Sequence, residues 1–125
     1  MSDEDAIRNT IARFSQCLDS RRFEDWTRTF TEDGVFGKLE GRAAILQMIL
    51  GGELAMQPDL RRQHAVTNSV IDVQGDTATA TSDLAMYDRV GDGPITVRVG
   101  RYYDELARQA DGEWLFSRRR LEWIG

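Results

Sequence analysis

From Gln63 onward, three short turn signals divide the chain into four extended segments. The turns are Gln74-Gly75-Asp76, Gly91-Asp92-Gly93-Pro94 and Gln109-Ala110-Asp111-Gly112. The segments between them are His64 to Val73, Thr77 to Val90, Ile95 to Ala107 and Trp114 to Ile124. They carry the β-branched and aromatic residues that suit a pleated, half-buried surface. Turns this short join antiparallel neighbours, since a parallel crossover needs about a dozen residues or more. The second half is therefore predicted to be an antiparallel meander.

The first half has a helical period. Ser2 with Asp5 three residues on resembles a capping box, and Ile7, Ile11, Phe14 and Leu18 then recur on one face. That pattern stops near Asp19-Ser20-Arg21-Arg22. Phe23, Trp26 and Phe30 form an aromatic stripe on a short second helix, and Thr31-Glu32-Asp33-Gly34 is turn material before a short strand at Val35-Phe36. A third helix spans about Gly41 to Leu50, with Ile45, Met48 and Ile49 as its buried side, and Gly51-Gly52 ends it. Glu53 to Arg62 reads as loop or a ragged helical turn. Helices first and strands after is the α+β arrangement, with helices packed on one face of one curved sheet.

Composition narrows the chemistry. At 125 residues the chain is read as one domain, 1–125. One cysteine, Cys17, rules out an internal disulfide framework, and one histidine, His64, leaves too few ligands for a zinc site of the usual kind. Cys17 itself reads as a small, buried or half-buried apolar residue. A net charge of −5 disfavours a nucleic-acid partner. No apolar run approaches the ~20 residues that span a bilayer, so no membrane partner is expected. The acidic start Met1-Ser2-Asp3-Glu4-Asp5 is unlike a secretory or transit leader, so a cytoplasmic location is expected. No Gly-x-Ser-x-Gly elbow, phosphate loop or Gly-x-Gly-x-x-Gly occurs. Carboxylates, hydroxyls, arginines and one imidazole remain.

The order of several short motifs carries a resemblance. Asp19 closes the first helix, and Trp26-x-x-x-Phe30 leads into Thr31-Glu32-Asp33-Gly34-Val35-Phe36. Gly41-Arg42-Ala43-Ala44-Ile45, His64-Ala65-Val66-Thr67-Asn68 and Gly100-Arg101-Tyr102-Tyr103-Asp104 follow. Asp111-Gly112-Glu113-Trp114, with Arg119 five residues after the tryptophan, completes the series. Together they resemble the SnoaL-like branch of the nuclear-transport-factor-2-like superfamily over nearly the whole chain. The resemblance implies a cone-shaped α+β barrel, a curved antiparallel sheet and three N-terminal helices enclosing one apolar pocket. Members include scytalone dehydratase, bile-acid dehydratase, polyketide cyclases and ketosteroid isomerase, while others only bind ligands. It further implies a homodimer through the outer sheet face.

Candidate site residues follow from pattern and resemblance together. His64 opens a strand, on one face with Val66, Asn68 and Val70 if alternation holds. Imidazole both takes and gives a proton near neutral pH, so His64 reads as a general acid/base, or as a histidine that hydrogen-bonds near the preceding loop. Asp19 sits at a helix C-terminus, where the macrodipole disfavours a carboxylate. It reads as the partner that orients His64, as in the dehydratases it resembles, or as a solvent-facing turn residue. The Tyr-Asp pair of those dehydratases is missing, because Leu18 precedes Asp19, and there is no second histidine. The nearest substitutes on the second strand are Asp83, Tyr87 and Asp88, each of which reads alternatively as rim solvation. Asp83 would be a second carboxylate, and Tyr87 is placed beside His64 and Asp19 as a catalytic group, polarising a carbonyl or leaving hydroxyl.

Trp26, Phe30, Phe36, Met48, Asn68, Asp83, Met86, Tyr102 and Trp114 are assigned to the ligand pocket or its core lining. Arg118-Arg119-Arg120 splits by strand alternation, Arg119 on the opposite face, and reads as paired surface charge or a dimer contact. The expected activity is acid/base chemistry on an apolar, polyketide- or steroid-like carbonyl or hydroxyl compound: dehydration, isomerisation or aldol-type cyclisation. It needs no metal and no organic cofactor. The alternatives are a non-catalytic ligand-binding or subunit-like module of the same fold and, third, a limonene-type epoxide hydrolase. The third requires Asp83, Arg98 or Arg101, and Asp104 to converge as Asp-Arg-Asp.

Overall fold

A computed structural model describes residues 1–125. Helix α1 runs from Asp3 to Asp19. The Ser2 hydroxyl accepts from the Asp5 backbone N–H at 3.1 Å, and Asp3, Glu4 and Asp5 oppose the positive end of the helix dipole. Ile7, Ile11, Phe14 and Leu18 form its buried stripe. The helix ends in a Schellman motif. The Arg22 N–H donates to the Cys17 carbonyl at 2.8 Å and the Arg21 N–H to that of Leu18 at 3.0 Å. Arg21 takes the left-handed turn with φ 58° at a position glycine usually fills.

Helix α2 covers Phe23–Thr27, α3 Arg42–Leu50 and a single-turn α4 Glu53–Met56. There are thus four helical segments rather than three, and part of the ambiguous 53–62 stretch is helical. The strands are β1 Phe30–Phe36, β2 Leu39–Glu40, β3 Leu60–Gln74, β4 Thr77–Val90, β5 Thr96–Arg108 and β6 Trp114–Trp123. Phe30 begins a strand instead of continuing α2, and the expected turn at 31–34 lies inside β1. Gly34 makes this possible. A Cβ there would sit 3.0 Å from the Phe116 carbonyl oxygen, the Phe30 Cβ and the Thr31 carbonyl oxygen.

The strand order is β2-β1-β6-β5-β4-β3. The meander β3 to β6 is antiparallel throughout, as its turns require. β1, however, lies parallel to β6, so the sheet is mixed. It is curved and unclosed, with β2 and β3 as free edges, so the expected barrel is an open cone.

Phe14 is the centre of the core. Its ring meets Trp26, Phe30, Phe36, Tyr102 and Phe116 edge-on, with centroids 5.4 to 6.0 Å apart. Four of these rings, Trp26, Phe30, Phe36 and Tyr102, come from residues assigned to a pocket. They fill the interior instead of lining an open cavity. The largest cleft, about 360 Å³, lies outside the cone against Arg13, Cys17 and Arg22.

Candidate functional site

The inward and outward faces of the sheet decide which candidates can meet. On β4, Ala78, Ala80, Ser82, Leu84 and Met86 are buried, so the even positions face the helices. On β5 the inward series is Gly100, Tyr102, Asp104 and Leu106. On β3 it begins with Leu60, Arg62 and His64, and His64 pairs with Met86 in register.

Asp19 and His64 do meet. The His64 Nδ1 lies 2.5 Å from Asp19 Oδ1, and the His64 backbone N–H donates to Asp19 Oδ2 at 2.9 Å. Both carboxylate oxygens therefore hold one residue, and the ring nitrogen left for chemistry is Nε2. The His64 side chain is only 5% exposed.

Arg21 fixes this geometry from the helix side. Its Nε donates to the Leu54 carbonyl at 3.1 Å, and its Nη2 donates to those of Gln57, at 3.2 Å, and Leu60. The side chain that follows the helix end thus ties it to α4 and to the first residue of β3. This explains why arginine occupies a glycine-like position. The wall beside His64 carries Arg62, whose Nε and Nη2 bind the two oxygens of Asp88 at 2.8 Å each. Glu53 of α4 adds a contact at 3.5 Å. The hydrogen bonds it donates to Asp88 are the main reason the Arg62 guanidinium holds its proton more tightly than usual, against the opposing effect of burial.

Tyr102 also faces inward and is buried. Burial pushes its phenol up to about 12, against the opposing charge of Arg119. It stays protonated at neutral pH and is a hydrogen-bond donor. Met86 is buried opposite His64.

Four assignments are corrected, and Trp114 is core. Tyr87 and Asp83 sit at odd positions of β4 and face away from the helices, and Tyr87 is 42% exposed. The Asp83 carboxylate accepts from Asn68 at 2.9 Å and from Arg101 at 2.8 Å, which hold it below the usual carboxylate range. Asn68 itself lies in a β-bulge. The pairing with β4 jumps from Thr67↔Asp83 to Val70↔Thr81, and Asn68 adopts φ 54°. Alternation fails there, so Asn68 and Val70 turn outward while Ser69, Ile71 and Val73 turn in. Met48 is 38% exposed because α3 buries Ile45 instead. Trp114 is buried at the far end of the sheet, where its Nε1 donates to Asp3 at 3.2 Å and its carbonyl accepts from Thr10 at 2.5 Å. The Asp-Arg-Asp constellation does not assemble either, since Asp83 and Arg101 pair on the outer face while Asp104 lies inside.

The inner face holds a group that sequence reasoning placed at the surface. Arg119 is 0% exposed. Its Nε donates to Asp104 Oδ1 at 2.9 Å, and its guanidinium carbon lies 3.5 Å from the Tyr102 ring centroid and 4.2 Å from that of Phe14. Both terminal nitrogens and Asp104 Oδ2 lack partners. Desolvation pushes the Asp104 carboxyl up to about 6 despite the opposing pull of Arg119. The signal was present in the alternation that set Arg119 apart from Arg118 and Arg120. Its burial depends on residues far away in the chain.

A model of the SnoaL-like domain matches residues 1–120. An uncharacterized protein of Mycobacterium tuberculosis is 30% identical over 128 residues, covering 95% of this chain and 84% of its own. An NTF2-like protein with a cystatin-like fold from Novosphingobium aromaticivorans superposes with a TM-score of 0.87 at 29% identity, over 98% of this chain and 82% of that one. A candidate scytalone dehydratase of the same organism gives a TM-score of 0.85 at 25% identity, over 98% and 85%. No helix is long and apolar enough to cross a membrane. With the fold, the strand order and the family match in agreement, the chain belongs to the SnoaL-like domain family.

Proposed function

We propose that this protein is an acid/base enzyme of the lyase or isomerase type, acting on an apolar, polyketide- or steroid-like carbonyl or hydroxyl compound. The observation that carries this reading is the His64–Asp19 dyad, in which both carboxylate oxygens hold the histidine. Asp19 accepts the Nδ1 proton, so Nε2 carries the lone pair that acts as base. It takes the proton from the carbon next to a carbonyl, and the electron pair moves to the carbonyl oxygen. Asp19 stabilises the imidazolium so formed. The Tyr102 hydroxyl, protonated at working pH, donates to the developing enolate. In an elimination the enolate then expels the β-hydroxyl, which leaves as water with the proton from His64. Isomerisation or cyclisation uses the same first step.

The test is solvent exchange. Protein in D₂O with a panel of bicyclic β-hydroxy ketones is followed by NMR for deuterium at the α-carbon and for loss of water. The wild type is expected to exchange or dehydrate at least one compound, and His64→Ala to do neither. Equal rates in the two proteins would remove the mechanism. The filled interior and the single histidine favour a second reading, a binding module of the same fold. Its signature is saturable binding with no exchange.

A further inference from the structure

We infer that the outer end of the β3–β4 ladder is a binding site for a compact oxyanion carried on an aromatic or apolar body, separate from the His64 site. Register places Arg61 directly opposite Arg89, and Gln63 opposite Tyr87. Like charges facing each other across two strands destabilise the pair unless something neutralises them. Nothing within the fold does so here. Asp88 and Glu53 are engaged by Arg62, and Asp83 by Arg101. Two unpaired guanidinium groups therefore stand together on a chain whose net charge is −5.

Their setting has the form of a site. Arg61, Tyr87, Asp88, Arg89 and Ile95 line one cleft of about 260 Å³, with Arg62 and Gln63 beside them, and the Asp88 carboxylate there is already paired with Arg62 at 2.8 Å. The Arg89 Nε donates to the Gly93 carbonyl at 3.0 Å, which fixes the plane of the guanidinium and leaves its terminal nitrogens free. Tyr87 is 42% exposed and Ile95 lies at the rim, so an aromatic ring and an aliphatic edge adjoin the two cations. Guanidinium forks match carboxylate and phosphate oxygens, and a tyrosine face stacks on a planar ring. Cations and ring together select a planar acid over a neutral apolar compound or a bare inorganic ion. Tyr87 thereby acquires a role outside the cone. Edge strands also carry cations simply to prevent edge-to-edge pairing, which is the competing explanation for Arg61 on β3.

The experiment is an NMR titration of the full ¹⁵N-labelled protein with 2-naphthoate, repeated with neutral 2-naphthamide and with inorganic phosphate. The amides of Arg61, Tyr87 and Arg89 are expected to shift to saturation with 2-naphthoate. They should respond weakly to the other two, and lose affinity as sodium chloride rises. Arg61→Gln and Arg89→Gln should each weaken binding about fivefold or more, with the rest of the spectrum unchanged. The proposal is overturned if these amides do not move or if both variants bind as the wild type does. It is equally overturned if 2-naphthamide gives the same shifts, or if the shifts centre on Asp19 and His64.

Discussion

Asp19 stands where the negative end of α1 repels a carboxylate, and the fold compensates through two hydrogen bonds from one residue, the His64 ring and backbone N–H. Asp19→Asn keeps the shape and removes the charge that stabilises the imidazolium. In the exchange assay it should lower the rate by roughly 10²- to 10⁴-fold with little change in half-saturation. Asp104 makes a different prediction. Its carboxyl is pushed up to about 6 in the fold, above the ordinary carboxylate range in the unfolded chain. The folded state therefore holds the proton more tightly, and the resulting stability is complete below about pH 4. It is lost as pH rises through about 6, on the order of 3 kcal/mol. Urea unfolding of the wild type across this window should show that fall, and Asp104→Asn should lack it.

Two left-handed residues shape the elements around the site. Arg21 turns the chain out of α1, and Asn68 sits in the bulge of β3. The bulge changes which side chains of β3 face the helices. His64 and Val66 before it, and Ser69 and Ile71 after it, all reach the interior, and Ser69 meets Ser82 at 2.8 Å. Asparagine tolerates this backbone and a β-branched residue does not. Asn68→Val should cost about 1–2 kcal/mol in urea unfolding, whereas Asn68→Gly should stay within about 0.5 kcal/mol of the wild type. A loss of similar size in both variants would assign the cost to the lost Asp83 contact instead.

At the scale of the whole molecule, the sheet shows one face to the helices and the other to solvent. Val97, Val99 and Ile124 are exposed on or beside that outer face. A dimer through it predicts twice the monomer mass in sedimentation equilibrium, returned to monomer by Val99→Glu. Such a dimer would also cover Tyr87, which pairs with Val97 in register, and so counts against the anion site proposed there. A wild-type monomer would count against that assembly. Much of the architecture was legible in the chain because its causes are local. Turn residues mark the hairpins, Ser2 marks the start of α1, and alternation marks the strands. The pairing of Asp19 with His64 was legible as well, through the misplaced carboxylate and the family pattern. Tyr87, Asp83 and Asn68 were misplaced because a side chain's face depends on the parity of its strand, and one bulge or a wrong starting phase reverses it. Arg119 was misplaced because its burial needs Asp104, Tyr102 and Phe14, which come together only when α1 packs into the sheet. The sequence by itself determined the elements, their order and the antiparallel meander. The tertiary structure alone decided the parallel β1–β6 pair, the filled interior and the side chains that share it, because each depends on contacts between residues distant in the chain.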